Sequence, residues 1–361
     1  GCCFGEKLRQ ACACIKQASI STAFMFLGIL PMILWWIIQA GLLIFLIFLI
    51  FYLGTTSSKE YRFVVYNDGR LKIGDLCKPE DAIKRNIKEC LFTGYYSKKL
   101  ILAFKVVSGF AIIWTIFLIQ AISIFQIAYS HYKYYCTQRI ASPLGFLFYF
   151  MESLAHAFSF NFGSLIIGSL LITIFLFIKI IFEFISRILG INDNHEKKAL
   201  SKWAMKILSI IQSIFKRLTS RAYIEIAVTG KSFCNSSKEV IKIFAGYPIT
   251  SLFIEVLCTL ITVIGISGCT IGSGFLTYCY LKELPDIMNP IILSMIYFIY
   301  AILPVYSIFK FYTIGIATVH YCVCYDLIIN DGTSEKPYLM PKYMADSYKE
   351  DKNEFTGNLK V

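Results

Sequence analysis

Long stretches of this chain contain no charged residue, and this feature limits the possible fold more than any other. The first such stretch runs for 31 residues, from Ala23 to Leu53, as AFMFLGILPMILWWIIQAGLLIFLIFLIFYL. A run of about 18 or more apolar residues is typical of a helix that crosses a bilayer. Only 16% of the 361 residues are charged, against roughly 25% in a soluble domain. We therefore expect an integral membrane protein.

Six apolar blocks can be drawn, and they predict an all-α fold, a polytopic transmembrane helical bundle. The third and fourth blocks form one 46-residue stretch, which is too long for a single crossing. The third block, PLGFLFYFMESLAHAFSFNF, contains polar residues and is predicted to be a short, broken or re-entrant helix. Such helices are tolerated where their backbone is buried in protein. The blocks span residues 20–53, 99–130, 143–162, 163–188, 248–277 and 287–311.

A basic amphipathic helix is predicted between the fourth and fifth blocks, over residues 197–218. Its apolar residues, Trp203 among them, follow the period of one helix face, and Lys202 and Lys206 lie opposite. Such a helix lies flat on an anionic leaflet, normally the cytoplasmic one. We therefore predict a cytoplasmic loop at about 189–247, with both termini cytoplasmic if six crossings hold. The single glycosylation sequon, at Asn235, would then remain unmodified.

In this topology the loop at about 54–98 is extracytoplasmic. Its many Lys and Arg residues oppose that assignment, although the positive-inside rule weakens as loops lengthen. Cys77 and Cys90 both lie in this loop, and we predict that they form a disulfide. The transmembrane region is predicted to cover residues 1–325, and residues 326–361 form a cytoplasmic tail.

No pattern for catalysis, metal binding or nucleic-acid binding is present in the sequence. The 13 Cys form no C-x-x-C pair and the four His form no H-x-x-x-H. The stretch GISGCTIGSG resembles a phosphate loop but lies in an apolar block and lacks the final Lys, so Gly268 and Gly272 are predicted to form a helix-packing face. We expect no enzyme, no metal or other cofactor, and no nucleic-acid partner.

Polar residues inside the apolar blocks are the candidates for a site. Glu152 and His156 are four positions apart and share a helix face. A charge at the bilayer centre costs roughly 2.5–3.5 kcal/mol, so such residues face a cavity or a partner. They line a substrate path, bond to each other, or lie at a depth near the membrane interface. Trp114 and Tyr129 could add aromatic faces, which together with a carboxylate bind a quaternary ammonium ion; singly, each residue is also a common lipid-facing or core residue.

The stretch AYIEIAVTGKSFCNSS, at residues 222–237, resembles a signature of the choline transporter-like family (solute carrier family 44). Three further stretches also resemble that family in order and spacing: IIWTIF, FGSLIIGSLLITI and NDGTSEKPYLMPKYM. The residues in the two signature segments that match are Ala222, Tyr223, Gly230, Phe233, Cys234, Asn330, Asp331 and Gly332. The resemblance implies that residues 222–237 form a cytoplasmic segment at the membrane surface.

The resemblance also implies transport of choline or a related amine across the plasma membrane, with the substrate and membrane lipids as partners. It covers only the C-terminal half of the family's fold, and the chain opens with Gly1, so we expect a fragment whose substrate path is an open groove. Family carboxylate positions in the second and last helices are occupied by Phe117 and Ala317, which leaves Glu152 as the nearest candidate. The alternatives are a lipid-organising or scaffolding protein without transport activity, and a channel or scramblase-like path.

Overall fold

The computed structural model describes residues 2–55, 58–63, 76–77, 90–96, 99–137, 145–188, 195–284 and 289–348. Ten α-helices, a 3-10 turn at Phe26–Gly28 and three short strands occur within these ranges. The helices are α1 (Cys2–Phe24), α2 (Ile29–Thr55), α3 (Lys99–Thr137), α4 (Gly145–Ser159), α5 (Phe162–Ile188), α6 (His195–Thr229), α7 (Phe233–Gly246), α8 (Pro248–Lys282), α9 (Pro290–Ile329) and α10 (Lys342–Tyr348). The strands are β1 (Ser58–Phe63), β2 (Leu76–Cys77) and β3 (Cys90–Tyr96).

Five of the described helices are long and apolar enough to cross a membrane, which confirms the predicted helical membrane fold. The fragment predicted to be short or broken is α4, whose 15 residues reach about 22 Å at 1.5 Å per residue. That length is less than the roughly 30 Å of hydrocarbon in a bilayer. The five candidate spans are Leu30–Thr55, Ile101–Thr137, Phe162–Ile185, Pro248–Lys282 and Pro290–Ile329.

The chain divides into two compact units, one formed by Gly1–Ile38 with Phe117–Val361 and the other by Gln39–Ile116. The smaller unit contains a three-stranded antiparallel sheet that the sequence reasoning did not predict, with strand order β2–β1–β3. Because β1 lies between them, the strands that carry Cys77 and Cys90 are two strand spacings apart, roughly 10 Å. A disulfide requires Cα atoms within about 7 Å. This strand order argues against the predicted disulfide.

The larger unit contains a helix that the apolar blocks did not predict. In α1, the buried stripe consists of polar and small residues at helical spacing, among them Gln10, Cys14 and Gln17. This stripe packs on α8, α9 and α10. Hydrophobic periodicity could not reveal α1, because its buried side is held by hydrogen bonds and close packing more than by apolar area.

The amphipathic helix and the first half of the 222–237 segment form one continuous helix, α6. Residues 222–227 are all buried, because α5, α7 and α9 pack around the C-terminal part of α6. Residues 222–227 therefore lie in the core of the unit, whereas residues 230–232, 234 and 235 are exposed. That the segment lies at the membrane surface stays a prediction. Gly230, with φ of +69°, ends α6 and lets the chain turn into α7.

The glycines that let α8 and α9 approach each other are not the predicted pair. A Cβ at Gly268 or Gly272 would meet nothing within 4 Å. A Cβ at Gly265 would lie 2.1 Å from the ring of Phe309, and one at Gly274 would lie 3.3 Å from Phe298. The packing face is therefore formed by Gly265 and Gly274.

Candidate functional site

Three of the four predicted site residues lie together where α3 meets α4. The Tyr129 hydroxyl donates a hydrogen bond of 2.7 Å to Oε1 of Glu152. The His156 ring stacks on Tyr129 with centroids 5.3 Å apart, and its Nε2 lies 4.0 Å from the same carboxylate oxygen. The Glu152 side chain is 26% exposed, so it does not point freely into the lipid.

The fourth group in this cluster is Lys133, which the sequence reasoning did not identify. Its Nζ lies 3.0 Å from Oε1 of Glu152 and 5.3 Å from the centroid of the Tyr129 ring. Lys133 follows Tyr129 by one helical turn, so the i, i+4 spacing was a usable signal. The carboxylate therefore already holds a cation, and 33% of the Lys133 side chain remains exposed.

Trp114 belongs to the smaller compact unit, whereas Tyr129, Glu152 and His156 belong to the larger one. Phe160, whose ring centroid lies 5.6 Å from that of His156, is the further aromatic neighbour in the cluster. The aromatic groups beside Glu152 are thus a phenol, an imidazole and a phenyl ring.

A second polar contact connects α2 and α3. The indole Nε1 of Trp35 donates a hydrogen bond of 2.8 Å to Oε1 of Gln126. The Nε2 atom of Gln126 has no hydrogen-bond partner among the described residues and is buried. The adjoining cavity has a volume of about 10 Å³, enough for about one water molecule. Gln126 therefore mainly bonds a neighbouring helix, one of the two roles that a glutamine in a membrane helix can take.

The signature segment at residues 222–237 carries a carboxyl that is more deeply buried than any other described carboxyl outside the candidate spans. Glu225 is 0% exposed, and its Oε1 accepts a hydrogen bond of 3.3 Å from Thr229. Lys231 Nζ lies 3.9 Å from the same oxygen, whereas Oε2 has no hydrogen-bond partner among the described residues. Burial raises the pKa of the Glu225 carboxyl from 4.5 to about 7, and Lys231 and Thr229 only partly offset it.

The neighbouring signature residues have a packing role. Tyr223 is buried against Gly168 of α5. A Cβ at Gly168 would lie 2.5 Å from the Tyr223 hydroxyl, so a larger residue would not fit there. The rings of Tyr223 and Phe233 have centroids 6.2 Å apart. Cys234 is exposed on the first turn of α7. The signature therefore fixes the junction of α5, α6 and α7, and the structure gives no role to the Cys234 thiol.

The second signature segment, which begins at Asn330, attaches the C-terminal tail to the bundle. Asp326, buried near the end of α9, accepts hydrogen bonds of 3.0 Å from the backbone N–H groups of Leu339 and Met340. Asn330 Nδ2 and the hydroxyl of Tyr135 donate to the same carboxylate at 2.7 and 3.2 Å. A carboxylate that accepts this many bonds holds the returning chain firmly.

The other two residues of that segment shape the turn. Asp331 Oδ1 accepts hydrogen bonds from the backbone and hydroxyl of Thr333, at 2.9 and 2.6 Å. Gly332 has φ of +80°, and a Cβ there would lie 2.4 Å from the ring of Tyr338. Only glycine fits this backbone and this close approach without strain.

Beyond the turn, α10 packs on α1. The Cys14 thiol and the Tyr348 hydroxyl are 3.3 Å apart, and Gln10 Nε2 donates a 3.2 Å bond to the carbonyl of Ser347. Tyr343 donates a hydrogen bond to Gln17. The tail up to Tyr348 is therefore ordered and docked, and residues 349–361 lie outside the described residues. Within the described ranges, no three His, Cys, Asp or Glu side chains are grouped so that they could hold a metal ion.

Comparison with known proteins gives a consistent result. A family model described as plasma-membrane choline transporter matches residues 2–327. Choline transporter-like 2 of Anopheles gambiae is 23% identical over 91% of this chain and 44% of its own length. Choline transporter-like protein 2 of Xenopus laevis is 24% identical over 93% of this chain and 49% of its own length. Choline transporter-like protein 2 of Danio rerio is 24% identical over 95% of this chain and 52% of its own length.

The chain spans about half the length of these curated relatives. The family model, in contrast, covers nearly the whole transmembrane region, including the Tyr129, Lys133, Glu152 and His156 cluster and the junction at residues 222–237. The chain belongs to the choline transporter family.

Proposed function

We propose that this protein moves choline or a related quaternary amine across the plasma membrane, with both termini of the chain in the cytoplasm. The observation that carries the proposal is the family membership, together with a carboxylate and aromatic rings grouped between two apolar helices. A quaternary ammonium has no N–H to donate, so it is bound by a negative charge and by ring faces. Glu152 supplies the charge, and Tyr129 and His156 supply the rings.

Lys133 gives this site a specific way to exchange cations. Its ammonium occupies Glu152 while the substrate is absent, at 3.0 Å from Oε1. An arriving quaternary amine takes its place on the carboxylate, and the partly exposed Lys133 side chain moves toward solvent. The charge of the cluster then stays balanced in both states, which limits the cost of a buried charge.

The path is proposed to run between α3 and α4, as an open groove in this chain. The Tyr129 hydroxyl holds Glu152 in place, and the short helix α4 brings both Glu152 and His156 to the same face one turn apart. The cytoplasmic position of the termini rests on α6, whose basic amphipathic part fits an anionic leaflet.

Uptake of radiolabelled choline by cells that express the chain tests this proposal. Glu152→Gln is expected to lower uptake at least tenfold, because it removes the only carboxylate of the cluster. Lys133→Gln is expected to lower the apparent KM, because the substrate no longer competes with a resident ammonium. Lys282→Gln, an exposed lysine at the end of α8, is the matched control for charge loss.

Two results would contradict the proposal. If Glu152→Gln transports choline as well as the original chain, the cluster is structural. If the chain accelerates lipid flip-flop in liposomes but takes up no choline above background, a scramblase-like path is the better reading.

A further inference from the structure

A second cavity lies between α6, α8 and α9, and the residues that line it are more than 60 positions after Glu152 in the sequence. Its volume is about 300 Å³, at the lower end of the range for ligand sites. Lys216, Arg217 and Arg221 line it from α6, and Glu255 lines it from α8. All four belong to the larger compact unit. None of these groups has a role in the proposed transport site.

The charges around this cavity are unbalanced. Arg221 Nη2 lies 3.1 Å from Oε2 of Glu255, and Arg217 contacts the other oxygen of the same carboxylate. Lys216 adds a third positive charge, so three cations face a single carboxylate among the described residues that line the cavity. His320 lines the α9 side, where its Nε2 lies 3.0 Å from the Ser251 hydroxyl. The cavity therefore attracts an anion.

The two arginines are arranged as a binding pair. The guanidinium of Arg221 stacks over the ring of Phe244 at 4.2 Å, which fixes its plane. The Arg221 side chain is 21% exposed, whereas the Arg217 side chain is 65% exposed. The Arg221 guanidinium is therefore held inside the cavity, whereas the Arg217 side chain, although paired with Glu255, is exposed to a ligand that enters. A planar guanidinium group can donate hydrogen bonds to two oxygens of one phosphate.

An exposed apolar stripe on α6 leads directly to these arginines. The residues repeat at intervals of four and three, which places them on one helix face. The stripe and the cations that continue it are Trp203, Ile207, Ile210, Ile214, Arg217 and Arg221. The four apolar members are each more than half exposed. A ligand that fits the whole face must be apolar along its length and anionic at one end.

We propose that this face and cavity bind an anionic phospholipid, whose phosphate is held by Arg217, Arg221 and Lys216. The acyl chains lie along the apolar stripe of α6. A free phosphate ion would contact only the cations, whereas a phospholipid contacts the cations with its headgroup and the apolar stripe with its acyl chains, so the lipid is the occupant that fits both features. Basic pockets beside membrane helices bind anionic headgroups in this way.

Native mass spectrometry of the purified chain in detergent tests the site. The chain is mixed with phosphatidylserine, with phosphatidylcholine, or with inorganic phosphate. We expect phosphatidylserine to be retained at least tenfold more than phosphatidylcholine. Arg217→Gln should reduce that preference about fivefold, and it removes an exposed side chain, so folding is preserved.

Glu255→Gln gives a result of the opposite sign. It removes the carboxylate that competes for both arginines, so retention of phosphatidylserine should increase, whereas a merely structural ion pair would predict no gain. The double variant Lys238→Gln with Lys242→Gln, at two exposed lysines of α7, is the control for net charge and should bind as the original chain does.

Three outcomes would overturn the proposal. One is equal retention of the two lipids. Another is an unchanged preference in both Arg217→Gln and Glu255→Gln. The third is displacement of the lipid by inorganic phosphate in the millimolar range, which would identify a small-anion site instead.

Discussion

Replacing Glu225 by glutamine should stabilise the protein near neutral pH and remove a pH dependence of its stability. In the folded chain this carboxyl is 0% exposed, and its Oε2 has no hydrogen-bond partner among the described residues. Burial raises its pKa from 4.5 to about 7. At 1.36 kcal/mol per pKa unit, that rise corresponds to roughly 3 kcal/mol. Glutamine keeps the shape of the side chain and cannot ionise.

The sign follows from the direction of the change. Below about pH 4.5 the carboxyl is protonated in both the folded and the unfolded chain, so its ionisation does not change the free energy of unfolding there. As the pH rises toward 7, the unfolded chain releases this proton while the folded chain retains it, and the unfolded state gains stability. The free energy of unfolding therefore falls across this window and is level, for this group, above it.

Urea unfolding in a mild non-ionic detergent, at about pH 4.5 and pH 8, measures the effect. The free energy of unfolding of Glu225→Gln minus that of the original chain should rise by about 3 kcal/mol from pH 4.5 to pH 8. Glu239→Gln is the matched control, because Glu239 lies 3.8 Å from the same Lys231 but is 40% exposed. Parallel stability curves for the original chain and Glu225→Gln would refute the reasoning. A similar change in Glu239→Gln would point to Lys231 instead.

Three further predictions concern the tail, the topology and the small sheet. Gly332→Ala forces a side chain into a positive-φ turn and against the ring of Tyr338, so docking of the tail should be weakened by about 1–3 kcal/mol. Limited trypsin digestion should therefore cut the tail faster in this variant. In Gly268→Ala, where the added Cβ meets nothing within 4 Å, the rate of cleavage should be unchanged. Asn235, exposed on the first turn of α7, should carry no glycan in eukaryotic cells, and a mass shift removed by a glycosidase would invert the proposed topology. Cys77 and Cys90 should both react with an alkylating reagent without prior reduction, because β1 separates their strands; recovery of a linked peptide would show that the strand order is not kept in solution.

The sequence alone was sufficient for the membrane class, for the short helix α4 and for the family. Each of these depends on local information: the length of an uncharged run, the polar residues that interrupt it, or the order of residues in a signature. The i, i+4 spacing of Glu152 and His156 was also local, and the structure places both beside Tyr129. Spacing on one helix can predict which side chains share a face, but not what faces them from another helix.

The tertiary structure decided which polar groups are paired and which are buried. Lys133 meets Glu152 only because α3 and α4 pack together, and Asp326 receives two backbone N–H groups from a segment 13 and 14 positions later in the chain. The buried stripe of α1 is polar and small, so no hydrophobic period marked it. The family resemblance places Glu225 in a cytoplasmic segment, but only the structure shows that three helices enclose its side chain. In each case the free energy of a polar side chain depends on contacts from residues far away in the sequence, which periodicity cannot encode.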